Sequence, residues 1–375
     1  MGKKYSILFD SFHLYHLPQF EPLIDLLAQD ERFTIYHSVS RKIQKKEYEL
    51  TRSILIDKPG KFISAENEEE RKKKIRGLEL DVFICGWSRY DIDHFVNENT
   101  LVGMAYHGIG IKPSYWRDNH DRLDIRFVEG PYRMDQLRKK GIETDLALTG
   151  FMKLDHLFQE NKIDPDLLID KFNLDTSKKT ILFAPTFYPS SFELIAAKLG
   201  DYTSDHNLLI KPHLWTTFMN KFAGINHKKQ RGLFNRLADS FDHIHLIPPE
   251  MYNITPFYKI SDLLITEASS TIYEMLAMDK PVLVNRFYKL KLSHRLFKNR
   301  LYRARLNEQM EKEISEFCFE ANQPDELPHV IDEALNKVKT KMSAMENYKG
   351  KMLFQLDGKA SLRVRDEILK RLKFK

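Results

Sequence analysis

Three short stretches place proton-carrying and anion-binding groups where the chain turns out of a predicted strand. Tyr106-His107-Gly108-Ile109-Gly110-Ile111-Lys112 follows the apolar run Leu101–Ala105. Its glycines let backbone N–H groups approach an anion and Lys112 adds charge. His107 suits a general base, since imidazole titrates near neutrality. The same residues also read as a plain strand-to-helix connection, and the spacing is not a GxGxxG dinucleotide fingerprint. Lys211-Pro212-His213 follows Asn207–Ile210. The proline stops the strand, so Lys211 and His213 project at the sheet edge, either to hold a pyrophosphate or as incidental loop polarity. The third stretch runs from Asp262–Thr266 through Glu267-Ala268-Ser269-Ser270 into a predicted helix reaching Met278. Ser269 or Ser270 is the expected N-cap, and the N–H groups behind it suit an anion. Glu274, one turn further on, would reach a ribose. A Ser-capped helix without a ligand looks the same, yet strand, paired serines and glutamate together form the most specific local signal in the chain.

Other candidates are less distinctive. Thr186, with Ser190 and Ser191 after the run Thr180–Ala184, could donate to a phosphate or simply shape a proline loop. His13 and His16, after Tyr5–Asp10, would touch an acceptor or pack as half-buried aromatics. Asp91-Ile92-Asp93 and Asp164-Pro165-Asp166 follow no clear buried strand, so no metal site is assigned. There is no G-x-S-x-G elbow for a nucleophilic serine. Cys85 and Cys318 lack a CxxC or Cys/His partner, which argues against a disulfide scaffold and a structural zinc.

The elements that must position these groups alternate between short apolar runs and amphipathic stretches, the pattern of βαβ units and parallel sheets. A helix is expected from Pro18. Strands are expected at Tyr5–Asp10, Phe33–His37, Asp81–Cys85, Leu101–Ala105, Ile125–Glu129 and Asp145–Thr149. A second series covers Thr180–Ala184, Asn207–Lys211, His243–Leu246, Asp262–Thr266 and Pro281–Asn285. The length of 375 residues exceeds what one core usually serves. The reading is an α/β protein with an N-terminal Rossmann-like domain over 1–158, a second over 159–345 and a basic helix over 346–375. The two sheets are expected to face a central cleft. The charge block Glu66–Lys74 reads as a solvated helix face with internal ion pairs. Lys plus Arg exceed Asp plus Glu by 59 to 53, a surplus too dilute to indicate a nucleic-acid partner. No run approaches 18 apolar residues, and the first residues lack a signal-peptide core, so a cytoplasmic protein is expected.

Together these segments resemble the CDP-glycerol glycerophosphotransferase family, the teichoic-acid primases and polymerases. The likeness runs from about residue 100 to 290, with a looser match at Leu14-Tyr15-His16-Leu17. It rests on His107–Lys112 against a His-Gly-Thr-Pro-Leu-Lys-like segment and on Gly150–Asp155 against Gly-x-Pro-Arg-x-Asp. Ala184–Thr186, Lys211–His213, and Ser269-Ser270 with Glu274 and Asp279-Lys280-Pro281-Val282 complete it. Ile109, Gly110, Met152, Lys153 and Glu267-Ala268 depart from the pattern, and Tyr188 stands where an arginine is often found; these changes bear on the donor more than on the fold. The resemblance implies a GT-B-like pair of Rossmann-like domains working without an essential metal or cofactor. It implies a CDP-linked donor held by Gly108, Lys112, Thr186, Lys211, Ser269, Ser270 and Glu274, with His107 and His213 catalytic. It further implies a lipid-linked saccharide acceptor, peripheral attachment to the inner face of the plasma membrane, and a role in cell-surface polymer synthesis. A UDP-sugar glycosyltransferase or epimerase, and a nucleotide-binding relative without catalysis, remain alternative readings. Basic residues are dense at Lys289–Arg305 and Arg363–Lys375, and the latter would form either a membrane-docking helix or one packed on the core.

Overall fold

Ile7, Leu8 and Phe9 are wholly buried in the first strand, Tyr5–Ser11 (β1), the continuous apolar run of a strand covered on both faces. The computed structural model describes residues 4–88, 91–110 and 114–373. They group into two units, each built on one parallel sheet. The first unit comprises residues 1–108, 114–160 and 351–375, and the second comprises 109–113 and 161–350.

The first sheet adds Phe33–Val39 (β2), Lys61–Phe62 (β3), Val82–Cys85 (β4), Leu101–Ala105 (β5), Ile125–Val128 (β6) and Asp145–Leu148 (β7). Its order is β3-β2-β1-β4-β5-β6-β7. The chain therefore winds outward from β1 and then returns to start again at β4. In the pairing, Asp10 lies between Ser38 of β2 and Cys85 of β4. The second sheet consists of Thr180–Ala184 (β8), Asn207–Ile210 (β9), Ile244–Leu246 (β12), Leu263–Thr266 (β13), Val282–Asn285 (β14) and Phe319–Ala321 (β15). Its order, β12-β9-β8-β13-β14-β15, repeats the same winding. A small antiparallel hairpin of Lys221–Phe222 (β10) and Ile225–Asn226 (β11) stands outside it. The core of this unit is formed by Ile181, Phe183, Leu208, Ile210, Leu263 and Ile265, with Phe192 stacked on Phe234 at 3.7 Å. The long predicted strands are all present, within a residue or two at their ends. β3, β15 and the hairpin are too short to show a period. Asp164 caps the helix Pro165–Lys171 through the Asp166 N–H (3.0 Å).

The charge block departs from its expectation. Its helix is Glu68–Arg76, and Lys72–Glu69 and Lys74–Glu70 form outward pairs. Arg71, however, is only 1% exposed. Its guanidinium reaches Asp10 at the end of β1 (2.5 Å), Ser38 Oγ (2.7 Å) and Glu68 (2.5 Å), and lies 4.5 Å over the Phe95 ring. Asp10 is itself fully buried, so this arginine is what makes a carboxylate tolerable there.

Residues 351–373 complete the first unit. Phe354 N–H bonds the Glu129 carbonyl (3.0 Å). The chain passes so close to Gly130 that a Cβ there would lie 2.1 Å from the Met352 carbonyl oxygen. Buried Asp155, the acid of the Gly150–Asp155 segment, accepts from Ala360 N (3.0 Å) and Ser361 N (2.7 Å) and so caps the helix Ala360–Leu372. Val364, Ile368 and Leu372 of that helix are buried, so its apolar face is packed on protein. Among the described residues no helix is long and apolar enough to cross a membrane.

Replacing Arg71 with alanine should strand the Asp10 carboxylate in the interior and cost about 3–5 kcal/mol. Urea unfolding followed by circular dichroism measures this, and a loss below about 1 kcal/mol would mean that the pair behaves as a surface one.

Candidate active site

In the first unit β1 and β4 are the neighbours at which the strand order reverses, and such a switch point opens a crevice at the strand C-termini. A turn at Leu14–His16 follows β1, Gly86-Trp87 follows β4, and Tyr106-His107 follows β5. Their rings form one cluster. His107 stacks on His16 at 4.5 Å and on Tyr106 at 4.6 Å, with Tyr15 edge-on at 4.9 Å. His13 stacks on Tyr15 at 5.0 Å, and Trp87 meets both His13 and His16 edge-on. Only glycine fits at 86, since a Cβ would stand 2.7 Å from the His16 ring.

Two hydrogen bonds assign the ring protons. His107 Nδ1 lies 3.2 Å from the Gly86 carbonyl oxygen. A carbonyl only accepts, so Nδ1 carries hydrogen and Nε2 holds the lone pair, the form of a proton acceptor. His13 Nδ1 lies 2.9 Å from Glu47 Oε1, which also accepts the Leu14 N–H (3.2 Å). Glu47 is 1% exposed and comes from the helix Lys45–Ile56.

The second unit has its own switch point, between β8 and β13. The loop after β8 is tied to the residue after β13. Glu267, fully buried, accepts the backbone N–H groups of Thr186 (2.6 Å) and Ser191 (2.8 Å) and the Ser191 hydroxyl (2.6 Å). Thr186 donates its own hydroxyl to the Pro189 carbonyl. Tyr188 is buried and shares a 2.6 Å hydrogen bond with His294. Lys211, 6% exposed, ends β9 with its N–H on the Phe183 carbonyl. His213 sits two residues on, against Phe187 at 4.7 Å. Its Nδ1 accepts the Trp215 N–H (3.1 Å), so the neutral ring carries hydrogen on Nε2 and donates from there.

Past β13, Ser270 takes the position before the helix Thr271–Leu276 without capping it, and Ser269 Oγ accepts the Thr271 N–H (3.3 Å). The helix ends two residues short of Met278. Glu274 is wholly buried, and its oxygens accept the Tyr258 hydroxyl (2.9 Å) and the Ser270 hydroxyl (3.1 Å). Thr186, Lys211, His213, Ser269 and Ser270 thus sit in loops at the C-terminal ends of β8, β9 and β13. His13, His16, His107 and Gly108 lie in the corresponding loops of the first unit. Lys112 falls outside the described residues.

Glu47, Trp87, Tyr15 and the anchoring role of Glu267 were not foreseen. Trp87 and Glu267 do follow strands, which is the signal that found the histidines; Glu47, on a helix 34 residues from His13, gave none. Asp91, Asp93 and His120 bring donor atoms within 4.8 Å of one another at the surface. His120 Nδ1 already accepts the Arg122 N–H (3.0 Å), which puts the ring proton on Nε2 and leaves neither nitrogen in ligand form.

Burial raises the Glu267 pKa above its ordinary 4.5, outweighing the hydrogen bonds it accepts. Between 4.5 and the raised value, the folded chain holds a proton that the unfolded chain has lost. Stability should therefore fall as pH rises through this window and recover on acidification toward 4.5. Comparison of thermal melts at several pH values should show that part of the slope missing in Glu267→Gln. That variant should also lose about 1–3 kcal/mol, because an amide cannot accept from both sides of the loop. An unchanged slope would remove Glu267 from this role.

No curated protein sequence matches the chain. Solved structures share its fold. The wall teichoic acid polymerase TagF, in a variant soaked with CDPG, superposes with a TM-score of 0.67 at 16% identity, over 99% of this chain and 89% of that one. S. aureus MnaA in complex with UDP gives 0.62 at 15% identity, over 98% and 97%. A UDP-N-acetylglucosamine 2-epimerase gives 0.60 at 15% identity, over 100% and 98%. The expected α/β class of two Rossmann-like parallel sheets, GT-B-like, holds. The profile of CDP-glycerol:poly(glycerophosphate) glycerophosphotransferases matches residues 117–370, well over half of the sequence. The chain is a transferase and belongs to that family.

Proposed function

We propose that the protein transfers a glycerol-phosphate, or related polyol-phosphate, unit from CDP-glycerol to an acceptor hydroxyl in cell-surface polymer synthesis, releasing CMP. The observation that carries this reading is the opposite protonation of the two histidines. His107 has the lone pair on Nε2, as a base requires, and His213 has its hydrogen there, as a donor to an anion requires.

The acceptor oxygen attacks the phosphorus nearer the glycerol while its proton passes to His107 Nε2. The new P–O bond forms as the bond from that phosphorus to the oxygen bridging to CMP breaks, and CMP carries away the bonding pair. His213 Nε2–H, Lys211, Ser269 and Ser270 hold the pyrophosphate and stabilise the charge that grows on the leaving phosphate. Glu274 steers the Ser270 hydroxyl that it accepts. Gly108 and Lys112 are assigned to the donor from their motif, and Thr186 keeps the loop after β8 in shape through its bond to Pro189. His13 and His16 belong to the acceptor in this reading, with Glu47 fixing His13. The site needs no metal or cofactor in this scheme.

The likeness to UDP-binding proteins keeps a UDP-sugar reading in play. Calorimetric titration with CDP, UDP and CDP-glycerol separates the two, with tighter CDP binding expected. UDP preference would move the protein to sugar chemistry with the fold unchanged.

His107→Ala should lower CMP release from CDP-glycerol by roughly 10²–10⁴-fold while leaving CDP-glycerol binding nearly intact. His213→Ala should weaken donor binding and turnover together. Unchanged turnover in His107→Ala would end its assignment as base. Glu47→Ala should raise the acceptor KM, and Glu47→Gln, which can still accept from both His13 and Leu14, should restore most of it; equal damage from both would make Glu47 a packing residue.

A further inference from the structure

A guanidinium kept from water needs negative charge beside it. Arg71 has two carboxylates, Asp10 and Glu68. Elsewhere in the first unit two further buried arginines are less well matched. Arg126, on β6, is 3% exposed, and Arg133, on the helix Pro131–Lys139 that follows, is 4% exposed. The Arg126 guanidinium donates to the carbonyl oxygens of Tyr115 (3.0 Å) and Asp118 (3.2 Å) and to Asn119 Oδ1 (3.5 Å), all of them neutral acceptors. Arg133 donates from Nε to Glu129 Oε1 (3.0 Å) and from Nη1 to Gln136, and its guanidinium lies 5.1 Å from the centre of the Tyr115 ring. Its Nη2 is buried and meets no hydrogen-bond acceptor. Two buried cations therefore share one hydrogen-bonded carboxylate. Asp118, also buried, turns Oδ1 to the Ser88 N–H (3.0 Å) and hydroxyl (2.9 Å). Burial and the neighbouring Arg133 outweigh the fields of Asp118 and Glu129 and lower the Arg126 pKa to about 10.

A small cavity lies against these same groups. Its walls include Arg126, Arg133 and Glu129, with Tyr106, Met104 and Leu137, and its volume is about 10 Å³. That is room for one water-sized sphere. A water would satisfy the Nη2–H and leave the surplus of positive charge as it stands. A monatomic anion would answer both, and a tetrahedral anion such as phosphate is too large. Tyr106 is also the ring on which His107 stacks at 4.6 Å, so the cavity lies behind the support of that histidine.

We propose that this cavity is a site for one monatomic anion, chloride in ordinary solution, held by Arg133 Nη2 as the counter-ion of Arg126 and Arg133. The proposal does not depend on the donor or on turnover, so its failure and that of the transferase reading are separable. The test is a series of thermal melts of the full chain in sodium chloride and in sodium gluconate at equal ionic strength, gluconate being too large to enter. The melting temperature should rise with chloride along a saturating curve, as mass action on one site requires, and show no such curve in gluconate. Arg133→Lys keeps a cation beside Glu129 but removes Nη2, and should raise the half-saturating chloride concentration about tenfold or more. A second measurement needs no variant: crystals soaked in sodium bromide should give an anomalous peak within hydrogen-bond reach of Arg133 Nη2. The proposal is overturned if chloride and gluconate melts coincide, or if Arg133→Lys responds to chloride like the parent. An ordered water in the cavity with no bromide peak would overturn it as well. A bromide peak without the saturating melt would mean binding at crystal concentration only, and would equally end the proposal.

Discussion

A loop that leaves a buried parallel strand carries backbone N–H groups with no ladder partner, and inside a protein each must find an acceptor. Both units meet this constraint in the same way. After β1, the Leu14 N–H goes to Glu47; after β8, the Thr186 and Ser191 N–H groups go to Glu267. Each glutamate is essentially excluded from solvent, and each comes from an element other than the loop it holds. The loops after the first strand of each sheet are thereby fixed by carboxylates, one from the helix Lys45–Ile56 and one from the residue that follows β13.

The chemistry inherits its form from the same backbone accounting. The His107 ring meets a backbone carbonyl and the His213 ring a backbone amide. Backbone groups do not titrate, so the two tautomers are set by chain geometry. Gly86 contributes twice, by offering its carbonyl to His107 and by leaving room for the His16 ring. Arg71 acts further below, where it neutralises Asp10 at the end of the strand from which His13 and His16 depart.

Much of this was legible in the sequence, and the reasons are physical. Strands such as Leu101–Ala105 and Thr180–Ala184 are continuous apolar runs, because a parallel sheet buries both faces. His107, His213 and the paired serines stood out because each follows such a run. What was not legible depends on contacts distant in sequence. Arg71 sits in a charge block whose composition announces a solvated face, and only its meeting with Asp10, 61 residues away, reverses that. Glu47 is one of two acids on an amphipathic helix, and nothing local distinguishes it from Glu49. Ser269 and Ser270 were found as a pair, but which of them accepts a backbone N–H depends on a turn that residue types do not determine.

The first unit is closed by residues 351–373, which lie against Gly130, Gly150 and Asp155 after the chain has passed through the whole of the second unit. On a ribosome the second sheet is therefore made before the first unit receives its last helix. The usual order, in which the N-terminal domain folds as a finished body before the next emerges, is not open to this chain. Until then the first sheet must wait with the surface beneath Val364 and Ile368 uncovered, and that interval is when the nascent protein has most to gain from a chaperone.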